Sequence, residues 1–368
     1  TLGEPDHDRE LFARIRKAAS EYDELILIGG PPCQAYSLVG RSRQKNVPGF
    51  TTKGDRKHFL YLEYLNIVAK FKPAIFIMEN VKGILTSTVG GNVMFDRIRQ
   101  DLAHPSATVA GRRLSDEEYV LLPVDIADGI VRDVDEVGRD PSLLTIRAER
   151  HGLPQARHRV IIMGVRKDLA DAALRVKGLD RASPVTIESA LSGLPRIRSS
   201  VSRSIDSGQS WANEMHLHRE KLIRVLRKSH PEVSSLLGEV DFSPTLQRTS
   251  TAYRVGRTSF AKAIRGRSEV VCNHSARSHM SMDLARYLFV SAFGAREGRS
   301  PKSGDFPSIL APDHANWSSG AFADRFRVQV KKRPSHTVTS HLSKDGHAFI
   351  HWDLGQCRSL TVREAARL

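Results

Sequence analysis

Short aliphatic runs alternate with amphipathic segments through the first half of this chain. The runs end at glycine, proline or charged residues, and their lengths suit β-strands. They cover residues 25–28, 74–78, 119–124, 143–148 and 159–165. Apolar residues recur at helical spacing in residues 8–19, 59–71 and 90–102. Strands that alternate with helices in this way predict an α/β fold.

The character of three runs predicts how their strands pair. Residues 25–28 are all aliphatic, which is typical of a strand buried on both faces of a parallel sheet. Runs 143–148 and 159–165 are joined by a segment with Gly152 and Pro154, which predicts an antiparallel hairpin. Further helices are predicted at residues 282–293 and 361–368.

A cysteine follows the first predicted strand on a stiff turn. Gly29 and Gly30 allow backbone conformations that other residues avoid, and Pro31 and Pro32 fix φ. Cys33 is therefore presented at the C-terminal edge of the strand, where open α/β sheets place their chemistry. A free cysteine taken alone is more often buried and inert, so its companions decide the interpretation.

Polar residues also follow the run 74–78. Glu79, Asn80 and Val81 stand there, and a right-handed βαβ crossover would bring them to the same side of the sheet as Cys33.

Two arginines lie at the start of the last apolar run, whose apolar residues begin at Val160. Arg157 and Arg159 lie two apart on a segment predicted to be extended, so both side chains are expected on one side, flanking one site. Phosphate binding, or a salt bridge to Glu79, is the alternative role for this pair.

Four strings in this sequence resemble, in order, four motifs of the DNA cytosine-C5 methyltransferases. They are Gly-Pro-Pro-Cys-Gln at 30–34, Glu-Asn-Val at 79–81, Gln-x-Arg-x-Arg at 155–159 and Leu-Thr-x-Arg-Glu-Ala-Ala-Arg-Leu at 360–368. The resemblance implies a Rossmann-like methyltransferase sheet with helices on both faces, plus a smaller, irregular target-recognition domain. The implied domains are a catalytic domain at 1–195, target recognition at 196–325 and a return to the catalytic domain at 326–368.

The resemblance also implies a reaction, methyl transfer from S-adenosylmethionine to C5 of cytosine in duplex DNA. Cytosine C5 is a poor nucleophile, and a thiolate added at C6 activates it, which is the role implied for Cys33. Glu79 would hydrogen-bond N4 and protonate or stabilise N3, and Arg159 would bind O2, with Arg157 nearer the nucleophile and a phosphate. A base inside the duplex cannot reach these groups, so base flipping is required.

Other contacts are expected by the same resemblance. Asn80 and Val81 would hold the turn and the base edge, and the loop at 35–54 would close over DNA, unless it is an ordinary surface loop. Further DNA contacts are expected from Gln34, Ser37, Arg41, Arg43 and Gln155. Pro32 and Leu60 are the candidate cofactor contacts, although Leu60 could equally belong to the core.

The Gly-rich Phe-x-Gly-x-Gly string that holds the cofactor in this family is not found in the sequence. We therefore expect a fragment that lacks the N-terminal cofactor motif and the C-terminal closing segment. Missing segments or a partner chain would complete the cofactor site.

Composition supports a polyanionic partner. Lys and Arg number 56 against 41 Asp and Glu, so the formal net charge is +15, which favours DNA. Residues 251–268 hold five basic residues and no acid, and they suit either a surface that tracks a DNA backbone or a solvated face.

Three cysteines without metal or disulfide spacing fit a reducing cytosol, and no apolar run suggests a membrane span. The family resemblance implies a bacterial cytoplasm, near the nucleoid. His274 and His279 invite a metal interpretation, but no further residues complete four ligands at the usual spacing.

Three rival functions remain at this point. The chain could be a non-catalytic DNA-binding or specificity subunit on a methyltransferase scaffold, although a scaffold does not need Cys33, Glu79 and Arg159. It could be a tRNA cytosine-C5 methyltransferase of related ancestry. A cysteine hydrolase has only residue types in its favour. The family implies service in restriction-modification.

Overall fold

The computed structural model describes residues 5–32, 61–89, 92–111, 118–124, 141–173, 178–252, 254–266, 269–313, 317 and 325–368. The chain forms two compact units. Unit 1 comprises Thr1–Arg147 and His158–Arg181, and unit 2 comprises Ala148–Arg157 and Ala182–Leu368. The functional boundaries expected at residues 195 and 325 stay a prediction.

Strands and helices alternate in unit 1, whereas helices dominate unit 2. The strands are β1 Ile26–Gly29, β2 Ile75–Val81, β3 Thr88–Val89, β4 Asn92–Val93, β5 Tyr119–Pro123, β6 Thr145–Arg147, β7 Gln155–Ala156, β8 His158–Arg166, β9 Ser200–Val201, β10 Ser278–His279 and β11 Ser335–His336. The helices are α1 Pro5–Ala19, α2 Tyr61–Phe71, α3 Met94–Ala103, α4 Pro105–Val109, α5 Ala170–Ala173, α6 Ile187–Ala190, α7 Gly208–Ser229, α8 Pro231–Gly238, α9 Ser259–Ala263, α10 Ser281–Glu297 and α11 Val362–Arg367.

A mixed five-stranded sheet organises unit 1. Its order is β1-β2-β8-β5, and β6 also pairs with β8. β1 and β2 run parallel with α2 between them in sequence, as the βαβ prediction required. β8 is antiparallel to β2, β5 and β6, so the predicted hairpin of β6 and β8 is confirmed. The α/β class is confirmed.

One face of this sheet packs against α2 and α3. Phe76 and Met78 alternate with less buried residues along β2 and are fully buried against this layer. From α2 come Tyr61, Tyr64, Leu65 and Val68, and from α3 come Met94, Phe95, Ile98 and Leu102. The opposite face has a smaller cluster around Leu122 and Val165, with Leu169 packed against it.

The expectation that the first strand is buried on both faces is wrong for the described residues. In β1 the side chains of Ile26 and Ile28 are 65% and 72% exposed. The physical reason is that Ile26 and Ile28 share one face of β1, the edge strand of the described sheet, and the described residues leave that face uncovered. An aliphatic run alone does not distinguish an edge strand from a central one.

The region at 196–325 contains regular helices as well as irregular segments. Helix α7 spans 22 residues and packs with α8 and α10 around a large hydrophobic core. Phe326, Val328 and Ile350 from the return segment are buried in the same core. The helix was missed because charged and polar residues separate its buried positions, which nevertheless recur at spacings of three and four in Trp211, Met215, His218, Leu222 and Leu226.

Within the described ranges, no helix is both long and apolar enough to cross a bilayer.

Candidate active site

The pairing of β2 with β8 brings a carboxylate and a guanidinium together. Val81 lies opposite Arg159, and Glu79 lies two residues away on the same strand, so the two charged side chains are diagonal neighbours. Arg159 Nε lies 2.7 Å from Glu79 Oε1. The salt bridge weighed as an alternative for Arg159 is therefore present.

This ion pair remains open to a ligand. The Glu79 side chain is 43% exposed and that of Arg159 is 20% exposed. Arg159 Nη1 also donates to the carbonyl oxygen of His158 at 2.8 Å, which restrains the guanidinium against its own strand. The site thus offers an oriented hydrogen-bond acceptor and an oriented cationic donor side by side, the combination that recognises a planar polar ring.

Asn80 attaches the turn after β1 to the end of β2. Its side chain is 1% exposed, and Nδ2 donates to the carbonyl oxygen of Pro31 at 3.3 Å. Its Oδ1 accepts from the backbone N–H of Val81 at 2.9 Å. The Asn80 amide is therefore used in fixing the turn, and Cys33 follows Pro31 by two residues in the chain.

Close approach explains the two glycines of this turn. A Cβ at Gly30 would lie 3.3 Å from Glu79 Oε2, and one at Gly29 would lie 2.6 Å from a ring carbon of Tyr64. The Tyr64 hydroxyl donates to the carbonyl oxygen of Ile77 at 3.1 Å. Burial, with a smaller effect of Tyr119, raises the pKa of Tyr64, so it stays a neutral donor.

The sequence analysis did not predict that Tyr64 supports the site. It occupies a buried position of α2, where helical spacing indicates only a core residue, so no signal in the sequence distinguished it.

Arg157 and Gln155 belong to unit 2, unlike Arg159. β7 ends at Ala156, and the N–H of Arg157 donates to the carbonyl oxygen of Gln155 at 2.8 Å, which is a γ-turn contact. The premise that Arg157 and Arg159 share one uninterrupted extended segment is therefore wrong. Arg157 is exposed, and its predicted role is not tested by this geometry.

Gln155 makes internal contacts with both ends of its side-chain amide. Nε2 donates to the carbonyl oxygen of Leu368 at 2.9 Å, and Oε1 accepts from the N–H of Val338 at 3.2 Å. β7 also pairs with β11, so this string joins three distant parts of unit 2. A DNA contact by Gln155 stays a prediction.

Several predicted site residues lie outside the described residues. They are Cys33, Gln34, Ser37, Arg41, Arg43 and Leu60, together with the predicted closing loop at 35–54. Of the other candidate contacts, Pro32 is exposed just after the buried Pro31, and Val81 is half-buried at the end of β2.

The two histidines once considered for a metal have structural partners in unit 2. His274 contacts the Thr361 hydroxyl at 3.0 Å and the carbonyl oxygen of Pro195 at 2.8 Å. His279 is stacked edge-on against Tyr287. In the described part of the chain, no group of three potential ligands could hold a metal ion.

Comparisons with known proteins assign most of this chain to one family. The family described as C-5 cytosine-specific DNA methylase matches residues 9–104 and 124–368. The type II methyltransferase M.Bpa9945I of Bacillus paralicheniformis is 33% identical over 93% of this chain and 61% of its own length. The type II methyltransferase M.AgeI of Thalassovita gelatinovora is 23% identical over 93% of this chain and 73% of its own. This chain thus spans less than two thirds of the length of M.Bpa9945I.

A solved structure from Escherichia coli, described as a candidate DNA modification methyltransferase encoded within a prophage, covers 97% of this chain and 72% of its own. Its sequence identity is 20% and its TM-score is 0.46.

Proposed function

Because this chain belongs to the C-5 cytosine-specific DNA methylase family, we propose that it forms the base-handling part of an enzyme that methylates C5 of cytosine in duplex DNA. The methyl donor would be S-adenosylmethionine. The target base would leave the stack, since neither face of a stacked ring is open to a nucleophile and to a methyl donor. The relatives carry type II names, which supports service in a restriction-modification system.

The observation that carries this proposal is the Glu79–Arg159 pair. Its members lie on adjacent strands at a separation of 2.7 Å, partly exposed, beside a turn that leads to Cys33 within two residues of an anchored Pro31. A purely structural salt bridge would not need to stand partly exposed at the end of a strand, beside the turn that Asn80 anchors.

The three side chains would divide the work on the ring. The Cys33 thiolate would form a bond to C6, which pushes electron density towards C5. Glu79 would hydrogen-bond N4 and deliver a proton or hydrogen bond to N3, while Arg159 would donate to O2. C5 would then form a bond to the methyl group as the methyl–sulfonium bond of the donor breaks, and loss of the C5 proton would break the C6–sulfur bond and release Cys33.

The Glu79–Arg159 contact would have to loosen for this chemistry. Each side chain would exchange part of its contact with the other for a polar edge of the base. Their partial exposure makes that exchange inexpensive, because neither charge is left unpaired in a dry interior.

The described residues offer a limited fit to the cofactor. Pro32, three residues after the end of β1, is exposed, as is Ile28 within β1, and exposed apolar side chains of this kind suit the less polar part of a nucleoside. When bound, S-adenosylmethionine would supply an electrophilic methyl group. Leu60, the other candidate, lies outside the described residues.

The DNA partner is supported by charge. The formal net charge is +15, and Arg254, Arg257, Lys262 and Arg265 of the predicted backbone-tracking stretch are all exposed. Two contacts fix this stretch, from Arg257 N–H to Ser192 Oγ at 3.0 Å and from Thr258 Oγ1 to the carbonyl oxygen of Ser189 at 2.8 Å.

Covalent trapping tests the proposal. The full-length protein is incubated with S-adenosylmethionine and a duplex in which 5-fluorocytosine replaces cytosine. The fluorine at C5 takes the place of the proton that must be lost and cannot itself leave as a cation, so the covalent adduct persists. We expect a stable protein–DNA adduct that is lost in Cys33→Ala. No adduct from a folded, DNA-binding protein would indicate a non-catalytic subunit, and adduct formation on tRNA alone would reassign the substrate.

A further inference from the structure

Tyr64 of α2 contacts both of the parallel strands in unit 1. Its ring lies so close to Gly29, the last residue of β1, that a Cβ on Gly29 would be 2.6 Å from Tyr64 Cε2 and 2.9 Å from Cδ2. Its hydroxyl donates to the carbonyl oxygen of Ile77 in β2 at 3.1 Å. One side chain therefore connects the end of β1 to the second half of β2.

Both contacts lie close in the chain to groups with a proposed role in the chemistry. Gly29 precedes Cys33 by four residues, and Ile77 precedes Glu79 by two. The ladder between β1 and β2 ends where Gly29 pairs with Met78. The contacts of Tyr64 are therefore made at the last rung before the two strands lead into the site.

The Tyr64 ring itself has little freedom to move. It is 7% exposed, and it packs edge-on against Phe76 with the ring centroids 6.2 Å apart and the planes at 82°. Leu65 and Val68 of the same helix are buried beside it in the layer between helix and sheet. A ring held in this way presents its hydroxyl as a donor of fixed position.

Tyr119 makes the same kind of contact at the other end of β2. Its hydroxyl donates to the carbonyl oxygen of Pro73 at 2.8 Å, its side chain is 1% exposed, and its ring lies 5.0 Å from that of Phe76. Pro73 precedes Glu79 by six residues, about 20 Å along an extended chain. The two tyrosines thus share burial, bond type and a ring neighbour, and they differ in which end of β2 they contact.

We propose that Tyr64 is a positioning residue for methyl transfer, which holds the end of β1 against β2 so that the turn to Cys33 and the Glu79 carboxylate keep the spacing that the target ring requires. It acts through the two strand ends from inside the core. Spacing matters because a misplacement of about 1 Å between reacting groups can lower a rate about 100-fold. The inference rests on the proposed function, since it takes Cys33 and Glu79 as the acting groups.

Removal of one hydroxyl from the full-length protein tests this assignment. Tyr64→Phe keeps the ring beside Gly29 and loses the hydrogen bond to Ile77. The matched control is Tyr119→Phe, which loses the equivalent bond to Pro73. For both variants, the single-turnover rate of methyl transfer to duplex DNA, the KM for the duplex and the urea midpoint are measured.

We expect Tyr64→Phe to lower the single-turnover rate about 5- to 20-fold while KM stays within about twofold, because the reacting groups shift and the DNA-binding surface does not. Tyr119→Phe should keep its rate within about twofold of wild type, although its urea midpoint falls at least as far as that of Tyr64→Phe. Equal losses of rate in the two variants, or a wild-type rate in Tyr64→Phe, would overturn the proposal.

A second set of variants tests the ring contact. Gly29→Ala places a methyl group against the Tyr64 ring and should lower both the urea midpoint and the rate. Combining it with Tyr64→Leu removes the clash, so the midpoint should rise again while the rate stays low. Recovery of the rate together with the midpoint would mean that Tyr64 only fills space, and it would overturn the proposal.

Trapping on the 5-fluorocytosine duplex separates this inference from the proposed function. Tyr64→Phe should still form the Cys33-dependent adduct, at a rate lowered by about the same factor as methyl transfer. Absence of an adduct in the wild-type protein would be a failure of the proposed function. A wild-type adduct that Tyr64→Phe forms equally fast would be a failure of the positioning role alone.

Discussion

Each unit of the molecule contains a close glutamate–arginine pair, and their surroundings differ. In unit 1, Glu79 and Arg159 lie 2.7 Å apart with side chains 43% and 20% exposed. In unit 2, Glu364 and Arg358 lie 2.6 Å apart with side chains 2% and 1% exposed. The residue types are the same, so any difference in role comes from what surrounds them.

The buried pair is saturated with internal partners. Arg358 binds both oxygens of Glu364, at 2.6 and 2.7 Å, and donates to Gln356 Oε1 and to the carbonyl oxygen of Ile197. Glu364 also accepts from the N–H of Thr361 at 2.8 Å and closes the capping box of α11. Such a pair stabilises the fold and has little capacity left for a ligand.

The exposed pair has the opposite properties. It stands at the end of β2 beside the turn that leads to Cys33, and solvent reaches both members. The two ion pairs have the same residue types, so solvent accessibility and neighbouring groups are what distinguish a pair able to act on a ligand from one that only stabilises the fold.

Removing one member of the buried pair should have the largest effect on stability. Arg358→Ala leaves Glu364 charged in a dry interior, so the free energy of unfolding should fall by about 3–5 kcal/mol. Urea titration followed by far-ultraviolet circular dichroism measures this in both units, and the fluorescence of Trp211, Trp317 and Trp352 reports on unit 2.

The matched change in the exposed pair is Arg159→Ala. It should cost no more than about 1 kcal/mol, as expected for an exposed ion pair. Similar losses in the two variants would contradict the division of roles.

Acid should destabilise unit 2 through the neighbourhood of the buried pair. Burial, followed by the charge of Arg358, lowers the pKa of His351 to about 3 from its usual 6.5. Burial alone would raise the pKa of Glu364, but Arg358 outweighs it and lowers that pKa to about 2 from the usual 4.5. Both groups therefore bind more protons in the unfolded chain, so stability falls as pH drops.

The expected window follows from these pKa values. The contribution of neutral His351 to the free energy of unfolding is complete above pH 6.5 and is lost as the pH falls towards 3. The contribution of ionised Glu364 is lost between pH 4.5 and 2. Each group contributes a slope of about 1.4 kcal/mol per pH unit within its window. Urea midpoints measured from pH 7.5 to 4 check this, and His351→Gln should flatten the upper part. A midpoint that stays constant down to pH 5 would refute the expectation.

Arg159→Lys should lower the rate of methyl transfer while leaving the fold intact. Lysine keeps the charge but loses the planar donor geometry proposed to bind O2 of the base. We expect a single-turnover rate about 10- to 100-fold lower, with an unchanged urea midpoint. A wild-type rate in this variant would remove Arg159 from the chemistry.

Gly30→Ala should have the smallest effect. The added Cβ would lie 3.3 Å from Glu79 Oε2, tighter than most contacts but relieved by a small movement of the partly exposed carboxylate. A rate reduction of a few-fold is expected, within about 1.4 kcal/mol of barrier. Gly111→Ala is a poor control because its φ is positive, whereas a Cβ at Gly304 meets nothing within 4 Å and makes Gly304→Ala suitable.

Much of unit 1 could be predicted because its information is local. The aliphatic runs gave β2, β5 and β8, and the order of motifs placed Glu79 and Arg159 near each other. The exposure of Ile28 could not be predicted, since a run of aliphatic residues reads the same at an edge as at the centre of a sheet.

The features that were missed depend on tertiary contacts. The γ-turn at Ala156 interrupts the extended segment that the spacing of Arg157 and Arg159 had suggested. The string from Thr361 to Glu364 carries the signature of a capping box, which the sequence could have revealed. Nothing local indicated that Glu364 would also bind a buried Arg358.

The most direct test of the account is the single-turnover rate of methyl transfer to duplex DNA by full-length Glu79→Gln, measured beside its urea midpoint. Glutamine keeps the shape of the side chain but cannot protonate the ring. The account predicts a rate about 10²- to 10⁴-fold below wild type, with unfolding free energy within about 1 kcal/mol of wild type. A wild-type rate, or a loss of rate explained by unfolding, would contradict the claim that the exposed pair performs the chemistry.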